Sequence, residues 1–188
     1  MIRVDLEERG GCWRLKIYIV RHGETNGNLR GALQGWMDEL LNENGRELAI
    51  ITARALSDIK FDVAISSPLS RAYETAEIIL RKNKKDIPPI QTDDRLKEMF
   101  FGEWEGLGLT KENFEIPSEH FNDFYDNPFA FQNSASGESI QQVCARTGEF
   151  YQELIKRYCY ETILLTTHGF ALRAMLQQVY ETENKEDS

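Results

Sequence analysis

The chain has 188 residues, 41% of them apolar, and 31 acidic against 22 basic side chains leave it a formal charge of −9. That length supports one good core, so a single domain spanning 1–188 is expected. The acidity excludes nucleic acid as a main partner because no Lys/Arg stripe offers a phosphate backbone a basic face; no apolar run approaches the roughly 20 residues of a membrane span; and residues 1 to 14 are too charged for a signal peptide, so a cytoplasmic protein is expected.

Residues 1 to 13 read as a loosely attached extension. The run Lys16-Ile17-Tyr18-Ile19-Val20 stops at Arg21-His22-Gly23-Glu24-Thr25, the pattern of a buried strand that delivers a charged pair to the carboxyl edge of a sheet. In open α/β folds that edge is where ligands sit. Arg21 held against a buried strand end needs an anion. The glycine-, asparagine- and glutamine-rich stretch from Thr25 to Gly35, including Asn28 and Gln34, is expected to be a ligand-facing loop.

Asn42 to Gly45 should open a helix that runs to about Ile59 with Leu48, Ile51, Ala55 and Leu56 on its core face. Phe61 to Ser66 is a short buried strand. Ser67 can cap the next helix and Pro68 suits its first position, which would aim free N–H groups at an anion, with Arg71 one turn in. Lys82 to Asp86 is a basic surface link, and Ile90 to Leu96 a short strand.

From Phe100 to Phe131 the chain carries seven of its ten phenylalanines without clean periodicity. Such a segment, about 98–136, suits a lid over a site or an apolar cluster that holds a long loop down. His120 lies here without a partner motif and is expected on the surface. Gly137-Glu138-Ser139 precedes an amphipathic helix to about Arg157, with Val143, Phe150 and Leu154 inward. Ile163-Leu164-Leu165-Thr166-Thr167 then repeats the first strand's pattern and ends at His168-Gly169. A helix from Phe170 to about Tyr180 and a frayed polar tail complete the chain. Cys144 and Cys159 should share one helix about four turns, roughly 22 Å, apart. With Cys12 they read as reduced and structural, and no cluster implies a metal.

Arg21-His22-Gly23-Glu24-Thr25 with Asn28, Ser67-Pro68-Leu69-Ser70-Arg71-Ala72 with Thr75-Ala76, Glu98 with Phe101-Gly102-x-Trp104-Glu105-Gly106, Gly137-Glu138-Ser139 and Thr167-His168-Gly169 together resemble the histidine phosphatase superfamily in its phosphoglycerate-mutase-like branch. The resemblance implies a three-layer α/β/α sandwich with a mostly parallel central sheet. It implies a phosphate pocket lined by Arg21, His22, Arg71 and a protonated His168, with Asn28, Thr25, Gln34 and Gly35 as further phosphate or substrate contacts. His22 would be phosphorylated during turnover. The proton donor would be Glu98, because Phe170 rather than an aspartate follows Gly169; an aromatic lid and a bound dianion would help it hold its proton. Relatives commonly continue past the final helix with a further strand, so either that edge strand is missing here or the chain is shortened.

Mutases of the family are usually longer, with segments that keep water from the intermediate. The expected function is therefore a metal-independent phosphomonoesterase acting on a small phosphorylated metabolite, one with an apolar or ring-bearing leaving group suiting the lid. Mutase-type phosphoryl transfer is the first alternative and a non-catalytic phospho-ligand binder the second. A zinc site built on the two histidines lacks further ligands at a usual spacing. No cofactor is expected, and the only partner besides the metabolite would be a second copy of the chain.

Overall fold

The computed structural model describes residues 1–7, 14–117 and 121–186, the side chains of 14, 129 and 180–186 excepted. Its elements are β1 (Ile2–Glu7), β2 (Arg14–Arg21), the single-turn α1 (Asn26–Leu29), α2 (Glu43–Ala55), β3 (Val63–Ser66), α3 (Ser70–Arg81), β4 (Ile90–Thr92), α4 (Asp123–Asp126), α5 (Ile140–Arg157), β5 (Thr162–Thr167) and α6 (Gly169–Glu186). The sheet order is β1-β2-β5-β3-β4, with β1 antiparallel to β2 and the other pairs parallel.

Strand alternation divides the core. Leu15, Ile17 and Ile19 pack with Phe150, Tyr151, Leu154, Met175 and Val179 on the α5/α6 side. Tyr18 and Val20 pack with Ala53, Leu56, Ile79 and Leu80 on the α2/α3 side. Both faces of β2 are buried, which is why its sequence is nearly continuous in apolar residues. The result is a three-layer α/β/α sandwich with a mostly parallel sheet.

Five expectations change. Residues 2–7 are not a loose extension: they form the edge strand β1, in register from Ile2↔Ile19 to Glu7↔Arg14. Residues 8–13, Cys12 among them, and His120 lie outside the described residues. In α2 the core face is Gly45, Ala49 and Ala53, while Leu48 and Ile51 stand 47% and 59% exposed. Small side chains let α2 approach the sheet, and the larger ones, one or two residues from Ala49, fall outside. The strand expected over 90–96 ends at Thr92 and gives way to a 3-10 turn over Asp94–Leu96. Cys159 lies beyond α5, which ends at Arg157, so the two thiols do not share a helix. Finally, α6 continues through the tail to Glu186.

The aromatic segment forms a second core. Phe101, Trp104, Phe121 and Phe131 cluster with Leu33, Met99, Ile140, Val143 and Ala174, and Phe124 and Phe170 pack at its margin. Among the described residues no helix is long and apolar enough to cross a membrane.

Candidate active site

Register alone brings the two histidines together. Arg21 pairs with Thr167 at the last rung between β2 and β5, and the His22 N–H donates to the Thr167 carbonyl at 3.0 Å. His22 and His168 therefore leave adjacent strands at the same level, and their rings lie 5.0 Å apart. On the other side of β5, Ser66 pairs with Thr166, which brings Ser67 beside His168: Ser67 Oγ is 2.7 Å from His168 Nε2. The turn after His22 is held down from α3, where Thr75 Oγ1 accepts the Gly23 N–H at 3.2 Å. Gly23 also meets the first turn of α2, and a Cβ there would overlap the Gly45 carbonyl oxygen.

His22 Nδ1 lies 2.7 Å from its neighbour's carbonyl, that of Gly23. A carbonyl only accepts, so this bond fixes the proton on Nδ1 and leaves Nε2 with a lone pair. Burial, then Arg71, then Arg21 push the imidazole down to about 3 despite the Gly23 bond. His168 is completely buried; burial first, then Arg71 and His22, hold it well below the ordinary histidine range. The protonated His168 was expected around a bound phosphate; without that dianion these influences favour the neutral ring. A neutral ring that accepts the Ser67 hydroxyl at Nε2 keeps its proton on Nδ1, an atom without a hydrogen-bond partner among the described residues.

Arg71 is also fully buried. Its Nη1 and Nη2 donate to the carbonyls of Met37 at 2.9 Å and Gly35 at 2.7 Å, while Nε has no partner among the described residues. The α3 N-terminus does not face a ligand as expected: the helix starts at Ser70, whose N–H and hydroxyl both donate to Asp38, at 2.7 and 2.6 Å.

Glu98, 9% exposed, sits against the opening turn of α6. Its Oε2 accepts from Phe170 N at 3.0 Å, and its Oε1 from Ala171 N at 3.1 Å and Met99 N at 2.9 Å. The backbone of this segment is held from α5. Arg146 makes a two-pronged pair with Glu138, at 2.8 and 2.9 Å, and donates to the carbonyls of Arg95, Lys97 and Glu98. Sequence reasoning missed Arg146, Glu105 and Trp36. Glu105 accepts from Trp36 N and Met37 N, and Trp36 Nε1 donates to the Glu98 carbonyl at 2.8 Å. Only Glu105 carried a signal, as part of the motif that follows Glu98.

Two cavities flank His22, sharing Arg21 and Asn28 as walls. One of about 350 Å³ runs toward Leu48, Ala49 and Thr52 of α2. The other, about 230 Å³, is bounded by Gln34, Glu98, Phe124, Tyr125, Phe170 and Arg173. Glu98 borders only the second, so that is where a carboxyl acid and an imidazole nucleophile could address one substrate. Thr25 and Gly35 do not border it. Thr25 is fully buried and caps α1, trading hydrogen bonds with Asn28 and Gln34, and Gly35 offers its carbonyl to Arg71. Both were expected to touch substrate; in the structure they bond Asn28, Gln34 and Arg71, which were expected to do the same.

The sequence profile of the histidine phosphatase superfamily, branch 1, matches residues 17–187. The chain belongs to this superfamily. Phosphoserine phosphatase 1 of Hydrogenobacter thermophilus is 36% identical over 162 residues, which cover 86% of this chain and 74% of the relative. The structure of YhfR from Bacillus stearothermophilus matches with a TM-score of 0.78 at 32% identity, covering 89% of this chain and 80% of that one. A phosphoserine phosphatase of Entamoeba histolytica, solved with 3-phosphoglyceric acid, matches with a TM-score of 0.73 at 29% identity over the same shares. Membership in the histidine phosphatase superfamily makes the chain an enzyme of the phosphatase type. Among the described residues no group of three or more His, Cys, Asp or Glu side chains could hold a metal ion.

Proposed function

We propose that this chain hydrolyses a small phosphorylated metabolite through a phosphohistidine on His22, without a metal, and that Glu98 moves the proton. The observation that carries this reading is the pair of imidazoles 5.0 Å apart, flanked by Arg21 and Arg71, with His22 Nε2 left as a lone pair.

The His22 Nε2 lone pair attacks phosphorus as the ester P–O bond breaks, and Glu98 gives its proton to the departing oxygen. Water then attacks, its proton passes to Glu98, the P–N bond breaks, and inorganic phosphate leaves. Such transfers run through loose transition states with charge spread over the equatorial oxygens, so the protein's main task is to supply donors and positive charge. Arg21 supplies a guanidinium. Arg71 Nε–H and His168 Nδ1–H are buried donors without partners among the described residues, and the phosphate oxygens would satisfy them. Leaving them unmet in the free enzyme costs folding energy, on the order of 1–3 kcal/mol each. Binding the dianion recovers that cost.

The test is phosphate release from a panel of phosphomonoesters, in the presence of chelator, with 3-phosphoglycerate included. Release that chelator leaves untouched supports the reading. Conversion of 3-phosphoglycerate to 2-phosphoglycerate in place of release would make the enzyme a mutase, and no turnover of any ester would reduce it to a binder.

A further inference from the structure

The sheet margin farthest from β4 carries unused bonding capacity. β1 pairs only with β2, and it runs from Ile2 to Glu7 in unbroken antiparallel register, without a bulge or a proline. The direction of its main-chain groups follows from its neighbour. The Lys16 N–H donates to the Glu161 carbonyl on the β5 side, and such groups alternate sides along a strand. Lys16 and Tyr18 therefore bond toward β5. Asp5 and Arg3, which stand opposite them, turn their own N–H and C=O groups out of the sheet, where no described element pairs with them.

The side chains sort by face. Val4 and Leu6 lean on the α5/α6 core, whereas Arg3, Asp5 and Glu7 are exposed on the other face, with Arg3 Nε donating to Asp5 Oδ1 at 3.0 Å. An open edge of this kind invites another strand unless its charges forbid it. Here the charges select a register. Antiparallel pairing of two copies about an axis at Val4 sets each Arg3 opposite the other copy's Asp5, Val4 opposite Val4 and Ile2 opposite Leu6. Moving the axis to Asp5 faces carboxylate with carboxylate, and moving it to Arg3 faces guanidinium with guanidinium. Of the three, only the Val4 axis joins opposite charges with no like pair, and cross-strand charge pairs stabilise or destabilise by sign. The same axis makes each Arg3–Asp5 rung one whose residues exchange both N–H···O bonds.

We propose that two copies of this chain associate through β1, antiparallel about a two-fold axis at Val4, so that the two five-stranded sheets become one. The interface is isologous, the form that most homodimers take. It does not depend on the phosphatase reading. One strand edge is small beside the ~1,600 Å² of a standard stable complex, so the association is weak and concentration-dependent, in the micromolar range.

The test is sedimentation velocity of the untagged chain from low to high micromolar concentration, on the wild type and on three variants. Asp5→Pro removes an N–H that points away from β2, so it spares the β1–β2 ladder and should leave a folded monomer by circular dichroism. Asp5→Arg puts like charges opposite each other at both rungs and should weaken association on the order of tenfold or more. Arg3→Asp combined with Asp5→Arg restores opposite charges in the same register and should return association to within a few-fold of the wild type. A wild type that stays monomeric throughout overturns the proposal. So does a dimer that a folded Asp5→Pro variant retains, which would place the contact elsewhere. A double variant no better than Asp5→Arg alone overturns the register, and that comparison decides the matter by itself if Asp5→Pro does not fold.

Discussion

His168, whose ring lies beside His22, and Phe124, on the wall of the cavity next to it, are held in place by opposite means. His168 ends a six-residue strand that is hydrogen-bonded on both sides, and it is completely buried. Phe124 sits in a helix of four residues, Asp123–Asp126, and is held by ring contacts to Phe101, Phe121, Phe131 and Phe170. The sheet edge fixes directional, polar groups whose displacement by an ångström would spoil an in-line attack. The aromatic wall offers area without direction, which can be re-shaped at modest cost. In the proposed reaction, chemistry would therefore belong to the strand ends, and the choice of leaving group to the wall.

Substitutions at the strand ends should break that division most severely. His22→Ala is expected to abolish phosphate release, measured over long incubation; wild-type rates in that variant would remove His22 as nucleophile. Replacing Arg71 or His168 by alanine should lower kcat/KM on the order of 10²-fold or more, as losing one fixed oxyanion donor does. Glu98→Gln should discriminate by leaving group. Losses of roughly 10²-fold or more are expected on alkyl phosphates, against a much smaller loss on p-nitrophenyl phosphate, whose phenolate departs with little protonation; equal losses would take Glu98 out of the acid role.

Acid should act on the same floor. Histidine in an unfolded chain titrates near 6.5, whereas folding holds His22 down at about 3 and His168 well below its ordinary range. Between those limits the unfolded chain binds protons that the folded chain refuses. Stability from these groups is thus level above about pH 7 and falls as pH drops below 6.5, by about 1.4 kcal/mol per pH unit for each histidine. Urea midpoints at descending pH check this, and His22→Gln should lessen the slope by one histidine's share. The smallest effect belongs to the wall: Phe124→Ala should cost about 2 kcal/mol, below the 3–5 kcal/mol of a fully buried aromatic, and change KM more than kcat. A kcat collapse there would erase the contrast between floor and wall.

The strands that carry the site were legible because each is buried on both faces and so stands out as an apolar run, stopped at Arg21-His22 and at His168. The core face of α2 was not. Leu48 and Ile51 look more core-like than Ala49 and Ala53, yet close approach between helix and sheet selects the small pair. The joints between loops were equally hidden. Asp38 caps a helix 32 positions on, and Arg146 reaches back 48 to Glu98. Side chains of this kind act only after the chain has folded, and no local period marks them. Ser67 misled for a related reason: its hydroxyl serves a histidine 101 residues away in place of its own helix.

The antiparallel strand at the sheet's margin bears on how the proposed nucleophile keeps its aim. β2 is zipped to β5 along one side and to β1 along the other, with Ile2 facing Ile19 only three residues before His22. A one-residue slip would advance the imidazole by about 3.3 Å and would also turn Ile17 and Ile19 toward the wrong layer. Any excursion that misplaced the attacking nitrogen would therefore have to unzip two ladders and swap two apolar layers at once, which makes the reach of His22 a property of the whole sheet.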